Sequence, residues 1–205
     1  MRIISYTVAC DRGFAPNPFW GYCTLACCKP TIRRVADVGD WIVGLEPGGQ
    51  RVLYIMQVTE KLSFRQYWHD LRFAGKRPDM EGDAIARVGD NLYRPSEEGF
   101  EQIRSRHSLD DGTEDTSSKA HDLKGRFVLV SNRFAYHGQD AIELPEDLVF
   151  LRIGRGHRSR FSDEQIAAVD KWARGRCVGK VGYPWKWPVR ELESAADDTK
   201  KVGCD

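Results

Sequence analysis

KPTIRRVADVGDWIVGLEPGGQRVLYIMQVTEK, residues 29–61, is the stretch from which the fold is read. WIVGL (41–45) and VLYIMQVTE (52–60) are rich in β-branched and aromatic residues, and the five-residue EPGGQ between them holds a proline and two glycines. That pattern predicts an antiparallel hairpin. Val38-Gly39-Asp40 turns the chain into its first strand, and Lys29-Pro30-Thr31-Ile32-Arg33-Arg34 reads as a basic strand end ahead of that turn. A hairpin returning past such a strand gathers cations and hydroxyls at one mouth of a small β-barrel.

Working outward, residues 2–9 (RIISYTVA) predict a first strand, and DRGFAPNPFWGY (11–22) a shaped loop carrying four aromatic rings among glycines and prolines. Residues 63–73 predict a helix capped by Ser63, with Phe64, Tyr67, Trp68 and Leu71 on one face. Residues 76–96 are irregular, with a short strand at 91–94. Residues 125–136 and 148–154 predict two further strands. Ser162 (or Ser159) caps a last helix with Ile166, Ala168, Val169 and Trp172 on its apolar face. The expectation is an α+β chain, a small β-barrel with peripheral helices forming one domain over 1–176. Polar, acidic residues 105–122 read as a mobile insertion, and 177–205, with GYPWKWP at 182–188, as a C-terminal tail.

Composition sets bounds. With 41% hydrophobic and 30% charged residues the chain can bury a core. A net charge of +1 gives no general affinity for polyanions, so nucleic acid would need a local patch. No apolar run approaches the ~20 residues of a membrane span. The N-terminus reads as a strand and not a signal, so a cytoplasmic location is expected. Cys23, Cys27 and Cys28 lack a second pair, and the five histidines show no ligand spacing. Buried thiols are therefore expected, with no metal and no cofactor.

The order of a K-x-T-x-R-like segment, a Gly39-Asp40 turn and a strand ending Val58-Thr59-Glu60 resembles the PUA/ASCH-like superfamily over residues 2–62 and, more loosely, 125–154. GFAPNPFWGYCTLACCKPTIRR (13–34) is similar to the opening of the nucleotide modification associated domain 2 family, which occurs beside base-hypermodification functions in phages and bacteria. The resemblance implies a PUA/ASCH-like barrel and a ligand that is a modified base, or the nucleic acid carrying it. Some ASCH-type domains are amidohydrolases on modified nucleosides that use a lysine, a threonine and a glutamate. By position Lys29 and Thr31 match, and Glu60 is near, although Pro30 departs from the pattern.

The residues offer specific contacts, each with a plainer counterpart. Phe19 and Trp20 suit base stacking and Asn17 a base edge, or they close the core. Lys29, Arg33 and Arg34 suit phosphates, or they are solvated charges. Asn132 and Arg133 end a strand where a ligand could be read, or form a bulge. His157 and Arg158, within RIGRGHRSR (152–160), suit a nucleic-acid backbone approached over Gly154 and Gly156, or a solvated loop. The expected partner is nucleic acid, DNA favoured, or a modified nucleobase, in a base-modification or anti-phage setting. Whether the chain is an enzyme stays open.

Overall fold

A computed structural model describes residues 1–187. The strands are β1 (Ile3–Thr7), β2 (Cys23–Leu25), β3 (Trp41–Leu45), β4 (Arg51–Gln57), β5 (Glu60–Ser63), β6 (Tyr93–Ser96), β7 (Gly99–Gln102), β8 (Phe127–Ser131), β9 (Arg133–Tyr136), β10 (Ile142–Glu143), β11 (His157–Arg158) and β12 (Gly179–Lys180). The α-helices are α1 (Pro30–Val35), α2 (Phe64–His69), α3 (Thr116–Leu123) and α4 (Asp163–Arg174).

The hairpin read from the sequence is β3–β4, at the centre of a seven-stranded mixed sheet ordered β11-β1-β3-β4-β9-β12, with β10 also on β4. β3 is buried on both faces, which explains its unbroken apolar run. On one face Ile4, Tyr6, Ile42, Tyr54, Met56 and Phe134 pack with Leu25 and Ile32. On the other, Ile3, Trp41, Val43 and Ile55 meet Leu148, Leu151 and the Val169–Ala173 stripe of α4. Gly44 leaves room for the Tyr54 ring, since a Cβ there would lie 2.2 Å from it.

The paired strands run on past this sheet. Gln57 faces Arg133 and Glu60 faces Val130, so one ladder bends at Thr59 and Asn132 and enters a second sheet, β2-β8-β5. The Ser131 hydroxyl stitches the bend, donating to the Arg133 carbonyl and accepting its N–H. A third core of Phe14, Cys27, Phe64, Tyr67, Phe73 and Tyr93 fills the space between this sheet, α2 and β6. The architecture is α+β with peripheral helices and three sheets that, among the described residues, do not close into a barrel. The expected barrel is corrected accordingly.

Three local expectations are also corrected. The basic strand end at 29–34 is helix α1. Pro30 sits in its first turn, where fixed φ and a missing N–H cost nothing, and Ile32 turns inward. The strand expected at 148–154 is a 3-10 turn over Glu146–Leu151, which buries Leu148 and Leu151 three residues apart. The helix expected over 63–73 ends at His69, after a capping box of Ser63 and Gln66, and continues as a 3-10 segment, Leu71–Lys76. Within the stretch expected as an insertion, 105–122, Asp115 caps α3 and Asp122 is fully buried. Beyond residue 176, β12 adds in parallel to β9, and Trp187 is buried in a cluster with Phe19 and Val88.

Candidate functional site

The chain leaves β2 through Cys27 and Cys28 and enters α1 through two consecutive left-handed residues, Cys28 (φ 54°) and Lys29 (φ 42°). Non-glycine residues rarely adopt this conformation, at a cost of about 1–2 kcal/mol each, so surrounding bonds must hold it. Arg33 does much of this from inside the protein. Its fully buried guanidinium donates to the carbonyls of Cys28, Phe127 and Asp122. Gly125 makes room, since a Cβ there would lie 2.4 Å from the Arg33 guanidinium carbon.

Asp122, near the end of α3, fastens the same junction. Its Oδ1 accepts the Cys28 N–H at 2.6 Å, and its Oδ2 accepts the Tyr93 hydroxyl at 2.6 Å and meets His107 Nδ1 at 2.9 Å. The other imidazole nitrogen, Nε2, lies 3.6 Å from Cys28 Sγ. Phe14 packs edge-on against the His107 ring at 4.7 Å between centroids. The charges follow this geometry. Burial disfavours a charged His107, but Asp122 and Cys28 outweigh it and raise its pKa to about 10. The adjoining Cys27 thiol and then His107 draw the Cys28 pKa well below the usual thiol range, against the opposing effect of burial. Asp122 is lowered as well, burial being overcome by His107 and Tyr93. Cys23 and Cys27 go the other way, raised by burial.

Cys28 and Lys29 stand in the wall of a cleft of about 490 Å³, completed by Thr31, by Thr7 at the end of β1 and Ala9 beyond it, by His121, and by Gly154, Arg155, Gly156 and His157. β11 pairs His157 with Tyr6 of β1, which carries the RGH loop to this end of the sheet. The Gly39-Asp40 turn lies at the opposite end of β3, next to Ile3 rather than Thr7. A second cavity of about 640 Å³ is lined mainly by Phe19, Trp20, Ile85, Phe134, Asn132 and Lys180.

The sequence-derived site residues therefore divide. Lys29, Thr31 and His157 share the polar cleft, while Phe19, Trp20 and Asn132 share the aromatic pocket. Asn17 and Arg33 are fully buried. Asn17 donates to the Val88 carbonyl and accepts from Lys76 Nζ at 2.6 Å, within a network that includes Thr24 and Asp90. Arg34, Arg133 and Arg158 line neither cavity, and Arg158 donates to the Phe150 carbonyl over the Phe161 ring. Glu60 is held by both terminal nitrogens of Arg72 and does not line the cleft that Lys29 and Thr31 share. Sequence reasoning missed Cys28, His107 and Asp122 as a group. The available signal was a histidine and an aspartate in an otherwise anchorless polar stretch.

A family model described as nucleotide modification associated domain 2 matches residues 1–191. The chain belongs to that family. Both cavities and every residue of the Cys28 junction fall inside the matched region of this family domain, whose name ties it to nucleotide modification. No curated protein and no solved structure matches the chain. Among the described residues, no helix is long and apolar enough to cross a membrane.

Proposed function

We propose that this nucleotide modification associated domain binds a base-modified nucleotide, with DNA as its source, in the polar cleft between Cys28–Ile32 and Gly154–His157. One observation carries the reading: Lys29 and His157, more than a hundred residues apart in sequence, face the same cavity together with Arg155. Gly154 and Gly156 have nothing within 4 Å of where a Cβ would stand, so a phosphate can approach the backbone closely there. Thr31 and His121 add hydrogen-bonding groups for a polar base. The resemblance of residues 29–60 to PUA/ASCH-like sequences is in keeping with a base-holding role, though the Lys-Thr-Glu set it implies lacks an assembled third member.

The test is a binding titration with single-stranded oligonucleotides carrying modified or ordinary bases, over a range of salt. Lys29→Ala and Arg155→Ala should each weaken binding about tenfold and lower the salt slope by about one. Unchanged binding in both variants, together with loss in Trp20→Ala, would move the site to the aromatic pocket.

A further inference from the structure

We infer that Cys28 is a modification site. Its sulfur, paired with His107 and Asp122, takes up one half of a small anionic disulfide entering through the polar cleft, and the mixed disulfide closes that cleft to nucleotide. The closure rests on the binding reading above; the thiol–disulfide exchange does not.

Three distances define the site: 3.6 Å from Cys28 Sγ to His107 Nε2, 2.9 Å from His107 Nδ1 to Asp122 Oδ2, and 2.6 Å from the Cys28 N–H to Asp122 Oδ1. One carboxylate thus fixes both the imidazole and the main chain bearing the sulfur. Tyr93 holds that carboxylate, Arg33 holds the Cys28 carbonyl, and Phe14 packs on the imidazole. A half-exposed sulfur is thereby kept against a basic ring, the setting in which a thiol ionises and reacts. Cys23 and Cys27 show the contrast. Both are fully buried with thiols raised by burial, as packing cysteines are.

The class of reagent follows from the two spaces that Cys28 borders. In the polar cleft, Lys29 and Arg155 supply cations and Thr31 a hydroxyl. The second space is a chamber of about 230 Å³, where the apolar walls Val8, Phe14 and Ala15 are joined by Arg12, Lys29 and Cys10. Cations on both sides of the sulfur favour a reagent that carries carboxylates. A disulfide of the glutathione type has carboxylates on each half and the S–S bond at its centre. Cys10 is exposed and lines the same chamber, so it meets the same reagent without the His107–Asp122 pair.

The exchange balances with the disulfide as the only co-reactant. The Cys28 thiolate attacks one sulfur of the reagent, a new S–S bond forms and the old one breaks. The departing thiolate carries away the electron pair and takes the proton of the His107 imidazolium. A small thiol reverses the step: it attacks the outer sulfur of the mixed disulfide, Cys28 leaves as thiolate, and the proton returns to His107. A thiol whose pKa is held down is a good leaving group, so the modification is readily reversed.

The experiment treats the full, reduced chain with oxidised glutathione at pH 6, quenches with acid and maps the modified peptides by mass. At that pH a free thiol is ionised to well under about one per cent, whereas Cys28 is largely thiolate. The weaker nucleophilicity of a low-pKa thiolate offsets part of that advantage, leaving Cys28 about tenfold faster than Cys10. His107→Gln should slow Cys28 by about fivefold or more with circular dichroism unchanged, an effect that a structural hydrogen bond would not produce. Oxidised glutathione should outpace the neutral 2-hydroxyethyl disulfide by about fivefold, each rate being divided by that on a neutral free thiol. The thiolated protein should bind oligonucleotide at least about tenfold more weakly, and dithiothreitol should restore it. Cys28 no faster than Cys10 in the wild-type chain overturns the site, whether or not the untreated protein binds oligonucleotide. Equal normalised rates for the two disulfides overturn the anionic reagent. A mass two hydrogens lighter, in place of an added thiol, would mark a Cys10–Cys28 disulfide and overturn the mixed one. Full oligonucleotide affinity in the thiolated protein overturns the closure of the cleft alone.

Discussion

The polar cleft beside Cys28 and the aromatic pocket beside Trp20 are of similar size, yet they differ in how far their groups are already engaged. In the pocket, Phe19 is buried and stacks on Trp187 at 5.6 Å and 13°, Trp20 meets Phe19 edge-on, and Lys180 lies 3.6 Å over the Tyr183 ring. Most of those ring faces are occupied by the protein itself. In the cleft, Thr31, His121 and Arg155 are exposed, and the backbone at Gly154 and Gly156 is bare. Aromatic richness in this sequence therefore marks where the fold is clamped, whereas polar groups with spare bonding capacity collect in the cleft proposed for binding.

The largest effect expected falls beneath the cleft. Arg33→Met would strand the three carbonyls that its buried guanidinium serves and take away a second cation, 4.0 Å from Asp122, leaving His107 alone beside that carboxylate. Removing one partner of a buried charged group costs about 3–5 kcal/mol, read as a shift in the urea midpoint. A loss below about 1 kcal/mol would show that the Cys28 junction stands without Arg33.

Phe19→Ala comes next. If the pocket is a clamp, it should lose about 3–5 kcal/mol of stability, as large-to-small core changes do. Oligonucleotide affinity at a temperature where the variant is folded should stay within about twofold. Unaltered stability with a large loss of affinity would reverse the roles of the two regions. Lys29→Ala should do the opposite, with stability held to within about 0.5 kcal/mol and binding weakened by about 1.4 kcal/mol, a tenfold change.

The division between the regions also shows what the sequence made legible. The β3–β4 hairpin was readable because strands buried on both faces carry apolar residues throughout, and α4 because Ser162 and Gln165 form a capping box ahead of a helical stripe. α1 was not, because Thr-Ile-Arg-Arg-Val suits a strand and the deciding residue, Pro30, marks a helix start only once its neighbours are known to turn. LVFL at 148–151 failed for a related reason: a short apolar run has no period to separate a strand from a 3-10 turn. Lys29, Thr31 and His157 were found as candidates from charge and glycine content, but their association depended on the β1–β11 pairing. His107 and Asp122 lie fifteen residues apart in a stretch without hydrophobic rhythm. They gain meaning only through partners on β6 and at the β2–α1 junction.

The smallest effect expected distinguishes a charged pair at Cys28 from a merely packed one. The His107 pKa is raised by folding, so its stabilisation is complete below its unfolded value near 6.5 and fades as pH rises through about 10. The Cys28 pKa is lowered by folding, so its stabilisation is complete above the unfolded thiol value near 8.5 and is lost as pH falls through its folded value. Between about pH 6.5 and 8.5 the first contribution declines while the second grows, and the wild-type urea midpoint should be nearly level. Cys28→Ser removes the rising contribution and leaves Asp122 to hold the proton on His107. Its stability should therefore fall across the same window, by about 1 kcal/mol. Parallel pH profiles for the two proteins would mean that Cys28 is a neutral thiol, and the cleft would then differ from the aromatic pocket in polarity alone.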